Sequence, residues 1–183
     1  EGVRIYQRIL VPVDGSTTSN LGLKEAIELA KVCGAQLRLV HVVDEMSLAM
    51  AMNAYSGYVG DWLSLLRDAG KTIVVASLQT ATAAGIEADS RMFDNLSGGI
   101  NDLILAEADR WNAGLIVLGT HGRRGPRRWL LGSTAEAIVR RATVPVLLVR
   151  DRSDPPSATN EADSEPQEVS THVSLPVQAL AIE

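Results

Sequence analysis

Five short apolar runs alternate with four stretches whose apolar residues recur at helical spacing, and this alternation restricts the chain to few folds. The runs cover residues 8–13, 36–43, 86–93, 115–118 and 146–149. They are rich in β-branched residues and bounded by Gly, Asp or Pro, as buried strands are. The run at 86–93 is the polar one, with Glu87, Asp89 and Arg91, which places it at a sheet edge. Leu23, Ala26, Ile27 and Ala30 share one helical face, preceded by capping side chains in residues 16–20. Trp62, Leu63, Leu66, Ile73, Val74, Leu78 and Ala81 form a longer stripe, interrupted by Gly70 at a cost of ~1 kcal/mol relative to Ala. Ile100, Leu103, Ile104, Ala108 and Trp111 form a third, and Ala135, Ile138, Val139 and Ala142 a fourth. The order β-α-β-α-β-α-β-α-β predicts a parallel α/β sheet with right-handed crossovers. Ligands of such sheets bind outside the carboxyl ends of the strands, so the residues just after each strand matter most.

Composition agrees with a sheet covered on both faces. Hydrophobic residues make up 46% of the chain and aromatics only 4%, so the core must come from Val, Ile, Leu and Ala. The 183 residues suit one domain, 1–150, with a largely irregular tail, 151–183. The opening residues Glu1, Gly2 and Val3 lack a methionine and read as a processed start. No apolar run approaches the ~20 residues that cross a bilayer, and none resembles a secretory signal. Cys33 is the single cysteine, so no intrachain disulfide is possible and a cytoplasmic location is expected. The net charge of −5 is uneven: seven acids against Arg152 give the tail −6, which leaves +1 for the rest. No broad basic face is present, which argues against nucleic acid as a partner.

Two stretches fall outside the alternation. Residues 46–60, rich in Met, Ala, Tyr and Gly, form a long connection that reads equally as a binding segment or a plain insertion. The tail is polar and Pro-containing, then apolar again over 173–182, where it offers a surface for a protein partner.

The strongest chemical signal follows the fourth strand: Gly119-Thr-His-Gly122-Arg-Arg-Gly125-Pro-Arg-Arg-Trp-Leu-Leu-Gly132-Ser133-Thr134. A glycine-punctuated loop lets a ligand approach the backbone closely, and it ends at a helix N-terminus with unpaired N–H groups and positive dipole. Together these suit phosphate, with the Ser133 and Thr134 hydroxyls as further donors and Arg123, Arg124, Arg127 and Arg128 as nearby charge. The plainer reading is a tight connection with Ser133 as an ordinary N-cap. Asp14, at the end of the first strand, can accept from both hydroxyls of a ribose or can simply open an Asx-turn. His41, Val42 and Val43 end the second strand, where a backbone N–H and C=O can read the edge of adenine.

Gly-x2-Gly-x9-Gly-Ser, matched by Gly119, Gly122, Gly132 and Ser133, resembles the nucleotide loop of universal stress proteins. Ile9-Leu-Val-Pro-Val-Asp14 is similar to the start of that family, and Val144-Pro-Val-Leu-Leu-Val149 to its closing strand. The resemblance covers about residues 5–150. It implies an open five-stranded parallel sheet of order 3-2-1-4-5 with helices on both faces, like the adenine nucleotide alpha hydrolases. It further implies a homodimer paired through the last strand, and ATP, with or without Mg2+, as the bound nucleotide. On that resemblance Pro12, Val13 and Asp14 flank the ribose and Val42 presents its backbone to adenine. Gly119, Gly122, Arg123, Gly132, Ser133 and Thr134 then hold the phosphates. Gly114 departs from the family, where Asp is usual; the expected consequence is confined to the start of the fourth strand and not the pocket.

Ser97-Gly-Gly-Ile-Asn-Asp102 looks like a pyrophosphate loop, but it follows the third strand instead of the first, so capping the third helix is its expected role. No catalytic residues and no metal ligands are assigned: the sequence places no carboxylate dyad, Ser-His-Asp set, Walker lysine or metal cluster. His121 can donate to phosphate or face solvent. The expected function is a nucleotide-dependent regulatory module in stress response. The alternatives are a slow ATPase or self-phosphorylating protein using Asp14 or His121, and a dimeric interaction module whose tail recruits a partner.

Overall fold

The computed structural model describes residues 6–44, 59–94, 99–120 and 131–151, with side chains of the second segment described from residue 64. Gly122, Arg123, His121 and the other loop arginines lie outside the described residues, as do most of the 46–60 connection, Ser97 and Gly98, and the tail beyond Asp151.

Five strands form one parallel sheet: β1 Arg8–Pro12, β2 Gln36–Val43, β3 Ala88–Asp94, β4 Leu115–Gly119 and β5 Val146–Val149. Their order is β3-β2-β1-β4-β5. The helices between them are α1 Thr17–Cys33, α2 Val59–Ala83, α3 Ile100–Trp111 and α4 Ser133–Arg141. The sheet order is the one the family resemblance implies, and the polar third strand lies at the edge, as its residues predict.

Alternating side chains feed two cores. On one face Ile9, Val11, Leu37, Leu39 and Val117 pack with Leu23, Ala26, Ile27 and Ala30 of α1 and Ala81 of α2. On the other, Leu10, Val40, Ile116 and Leu118 meet Ile104 and Ala108 of α3 and Ala135 and Ile138 of α4. Ile9, Leu10, Leu39 and Ile116 are fully buried, each stabilising the fold by about 2 kcal/mol.

Three details depart from the sequence reading. β3 begins at Ala88 rather than Ile86, because α2 ends in a turn: Gly85 takes φ +79° and the Ile86 N–H bonds the Ala81 carbonyl at 3.2 Å. Ile86 still packs on the core, from the turn. Val139 is 44% exposed, so the α4 stripe narrows to Ala135, Ile138 and Ala142. Helix α4 is capped by Gly132, not by Ser133, which is its first helical residue.

Candidate functional site

The carboxyl ends of β1, β2 and β4 open into one cavity of about 410 Å³, a volume in the range of small-ligand sites. Pro12, Val13, Asp14, Val42, Gly119, Gly132, Ser133 and Thr134, all singled out in the sequence, line it together. Four separate chain segments therefore converge on one place.

The chain builds the carboxylate end locally. Ser16 caps α1, its hydroxyl accepting the Ser19 N–H at 3.2 Å. Ser19 is buried, and its hydroxyl accepts the Asp14 N–H at 3.1 Å. The Asp14 Oδ1 accepts the Ser16 N–H at 2.9 Å across Gly15, which takes φ +80°. Asp14 is thus an Asx-turn residue that also lines the cavity. A carboxylate has about four acceptor positions, so this bond orients it without exhausting it.

The middle of the cavity is a strand end. The β1–β2 ladder runs to the Pro12–Val40 pair, and the Val13 N–H bonds the Val40 carbonyl at 2.8 Å. By two-residue alternation the N–H and C=O of Val42 point to the same side as those of Val40, past the last residue pair of that ladder. Apolar side chains of Val40, Val42, Leu66, Ile100, Ile104 and Leu118 surround this edge, a slot suited to a flat ring.

The third part is the start of α4. Gly132 has no side chain to cap the helix, and no side-chain cap bond is made there. Ser133, Thr134 and Ala135 line the cavity, which places at its wall the first turn of a helix, where N–H groups lack intrahelical partners. The Gly132 N–H bonds the Thr120 carbonyl at 2.9 Å, and the Thr120 N–H bonds the Val149 carbonyl at 3.0 Å. Thr120 and Gly132 are therefore adjacent at the cavity rim.

Gly119 has a different reason to be glycine. A Cβ there would lie 2.6 Å from the carbonyl carbon and oxygen of Thr18 and 2.9 Å from the Ser19 nitrogen. The first turn of α1 rests directly on the end of β4, and Gly22 approaches the Gly119 nitrogen from the same side. Gly114 lies at the opposite end of β4, its N–H on the Arg8 carbonyl at 2.8 Å, away from the cavity as expected. At the start of α3 the Asp102 carboxylate accepts the Gly99 N–H at 3.3 Å, the capping role expected of that segment.

Sequence reasoning missed several cavity residues. Asp44 and Thr120 directly follow β2 and β4, so the rule about strand ends could have flagged them. Leu66, Ile100 and Ile104 read as ordinary core stripes, and Ser19 as one capping residue among several.

The sequence profile of the universal stress protein family matches residues 5–150. The chain belongs to that family. A universal stress protein of Methanocaldococcus jannaschii is 32% identical over 152 residues, covering 81% of this chain and 85% of that one. A putative universal stress protein of Staphylococcus aureus is 30% identical over 169 residues, with 92% and 95% covered. Among solved structures, the family member UspA of Lactobacillus plantarum shares 27% identity at a TM-score of 0.64, covering 80% of this chain and 99% of that one. A universal stress protein of Archaeoglobus fulgidus solved in complex with dAMP shares the fold at 23% identity and a TM-score of 0.57, with 79% and 98% covered. Among the described residues, no helix is long and apolar enough to cross a membrane, and no group of three or more His, Cys, Asp or Glu is placed to hold a metal.

Proposed function

We propose that this universal stress protein is a cytoplasmic, homodimeric regulatory module that binds ATP in the cavity at the carboxyl ends of β1, β2 and β4. The observation that carries the reading is the convergence of three complementary parts. A carboxylate at Asp14 suits a ribose, a strand edge at Val42 inside an apolar slot suits adenine, and the uncapped start of α4 suits phosphate. The fold relative in complex with dAMP holds an adenine nucleotide, but at that identity the likeness is one of fold, so the cavity's own chemistry bears the argument. Asp14 and Asp44 give the described lining a negative character. Cationic help for the phosphates then falls to Arg123, Arg124, Arg127 and Arg128 in the segment anchored at Thr120 and Gly132, with Gly122 admitting close approach. Without a built cluster of metal ligands among the described residues, Mg2+ would arrive on the phosphates.

Dimerisation is proposed along β5. Among the described residues this strand pairs with β4 on one side only, and all four of its residues are half-buried.

Mass spectrometry of the small molecule that co-purifies with the native chain tests the ligand, and calorimetry with Gly132→Val tests the site. The valine should block phosphate and weaken ATP at least tenfold; unchanged affinity would remove α4 from the proposal. A slow ATPase is the competing reading, and time-resolved ADP release lost in Asp14→Ala would establish it.

A further inference from the structure

His41 is a buried, titratable residue that the binding scheme above leaves without a role. It is 4% exposed and belongs to β2. Its Nδ1 lies 2.7 Å from the Val13 carbonyl oxygen, and since a carbonyl only accepts, Nδ1 carries the proton and donates. Val13 immediately precedes Asp14, so this bond holds the peptide from which the sugar-facing carboxylate springs. The opposite edge of the ring lies against α2. A Cβ on Gly70 would sit 2.9 Å from both Cδ2 and Nε2 of His41 and 3.3 Å from the Met92 sulfur. The imidazole occupies the space that any side chain at position 70 would need. Gly70 also lies one helical turn from Leu66, on the same face, and Leu66 lines the apolar slot.

We propose that His41 is a positioning residue that ties the two walls of the nucleotide cavity together, one ring edge fixing the Asp14 end of β1 and the other setting how closely α2 brings Leu66 over the base. Gly70 is the matching vacancy in α2. This rests on the ATP reading of the cavity and adds to it what determines the cavity's width. The ring acts as a rigid spacer, since imidazole has no internal torsion.

Calorimetric titration of ATP into the full chain, alongside thermal unfolding, tests this with three variants. Gly70→Ala should weaken ATP about tenfold at a temperature where the protein is folded. His41→Asn keeps a donor for the Val13 carbonyl but removes the far ring edge, and should weaken ATP about fivefold. The double variant His41→Asn/Gly70→Ala lets the new methyl fill the space the ring left, and should recover to within about threefold of the parent, a coupling that contacting residues show and distant ones do not. A role in packing alone would lower the melting temperature and leave the affinity of the folded protein unchanged, which would overturn the proposal. Additive losses in the double variant would overturn it as well. If Gly70→Ala does not fold, His41→Asn decides: unchanged affinity there refutes the spacer. Failure of the parent chain to bind ATP would bring down the ATP reading and this one together, whereas tight binding by the parent and equal binding by all variants would bring down only the spacer.

Discussion

At Gly119 the missing side chain is required by the protein's own backbone. The sequence motif puts this residue among those that hold phosphate, yet the atoms crowding its hydrogen are the Thr18 carbonyl and the Ser19 nitrogen. These are backbone atoms and cannot swing aside. Gly119→Ala should therefore destabilise the protein by about 3 kcal/mol, at the upper end of overpacking costs, measured by urea unfolding. Gly22→Ala, whose Cβ would lie a tight 3.3 Å from the Gly119 nitrogen but clear of the 2.6 Å overlap at Gly119, should cost less than half as much. Equal losses would show that the α1–β4 contact yields easily. Asp14 separates charge from geometry in a similar way. Asp14→Asn retains an oxygen for the Ser16 N–H and should keep the Asx-turn, with a melting temperature within about 2 °C of the parent. ATP affinity should nevertheless fall about tenfold, because a neutral amide accepts more weakly from ribose hydroxyls than a carboxylate does. Calorimetry showing unchanged affinity would leave Asp14 a turn residue and nothing more. Residues at strand ends were legible in the sequence for the reason that they are constrained by local chemistry. The His41 side chain's part was not, although its place at a strand end was, because that part depends on Gly70 and Met92, and neither is near it in the chain.

At the level of elements, the polar third strand looked like an edge, and the structure supplies the reason for its charges. Arg38 of β2 donates to Asp89 of β3 through Nε at 2.7 Å and to Glu107 of α3 through Nη1 at 2.9 Å, and stacks 4.7 Å from the centroid of the Trp111 ring. The Glu107 side chain is 1% exposed and is reached also by Arg110 at 3.1 Å. Hydrogen bonding to Asp89, more than the opposing effect of burial, raises the Arg38 pKa above its ordinary value. A raised value stabilises the fold at every pH below the unfolded one, and that contribution is lost only as pH rises through the folded value, so Arg38 stays charged throughout the working range. Arg38→Met should cost about 3 kcal/mol, since it strips a buried carboxylate of its main partner, roughly 9 °C of melting temperature for a domain of this size. ATP affinity should not change, because Arg38 lies toward the amino end of β2, away from the cavity. By contrast Lys31→Met, at an exposed pair with Glu28, should change stability by less than about 1 kcal/mol. No periodicity rule could have found this network, since it links three elements. The other edge strand makes its own prediction. The carbonyls of Pro145 and Val149 face β4, so by alternation the N–H of Leu148 faces the free edge. Leu148→Pro removes that donor and should convert a dimer to a monomer on light scattering while helical circular dichroism persists; a dimer that survives would place the interface elsewhere.

For the whole molecule, the alternation of runs and stripes was enough to give a parallel sheet and the end of it at which a ligand would sit, while the strand order came from the family resemblance. Chain order and periodicity fix the parallel crossovers and so the ligand-binding end, but they leave open on which side of the first strand each later strand is added. The distribution of charge sets a different problem. The tail carries −6 and the remainder +1, so on the proposed ATP reading a triphosphate approaching the cavity does so in the presence of those acids. Screening limits the reach of exposed charges to about 8 Å at physiological ionic strength and about 30 Å at 0.01 M. If the tail stays clear of the cavity, its removal is silent at physiological salt and produces a modest gain in affinity only when salt is low. A chain ending at Asp151 should accordingly bind ATP within twofold of the full chain at 0.15 M salt, and about threefold more tightly at 0.01 M. A gain of tenfold that persists at high salt would mean that tail acids occupy the phosphate end of the cavity as a competing anion, and a loss of affinity would mean that the apolar stretch 173–182 forms part of its wall.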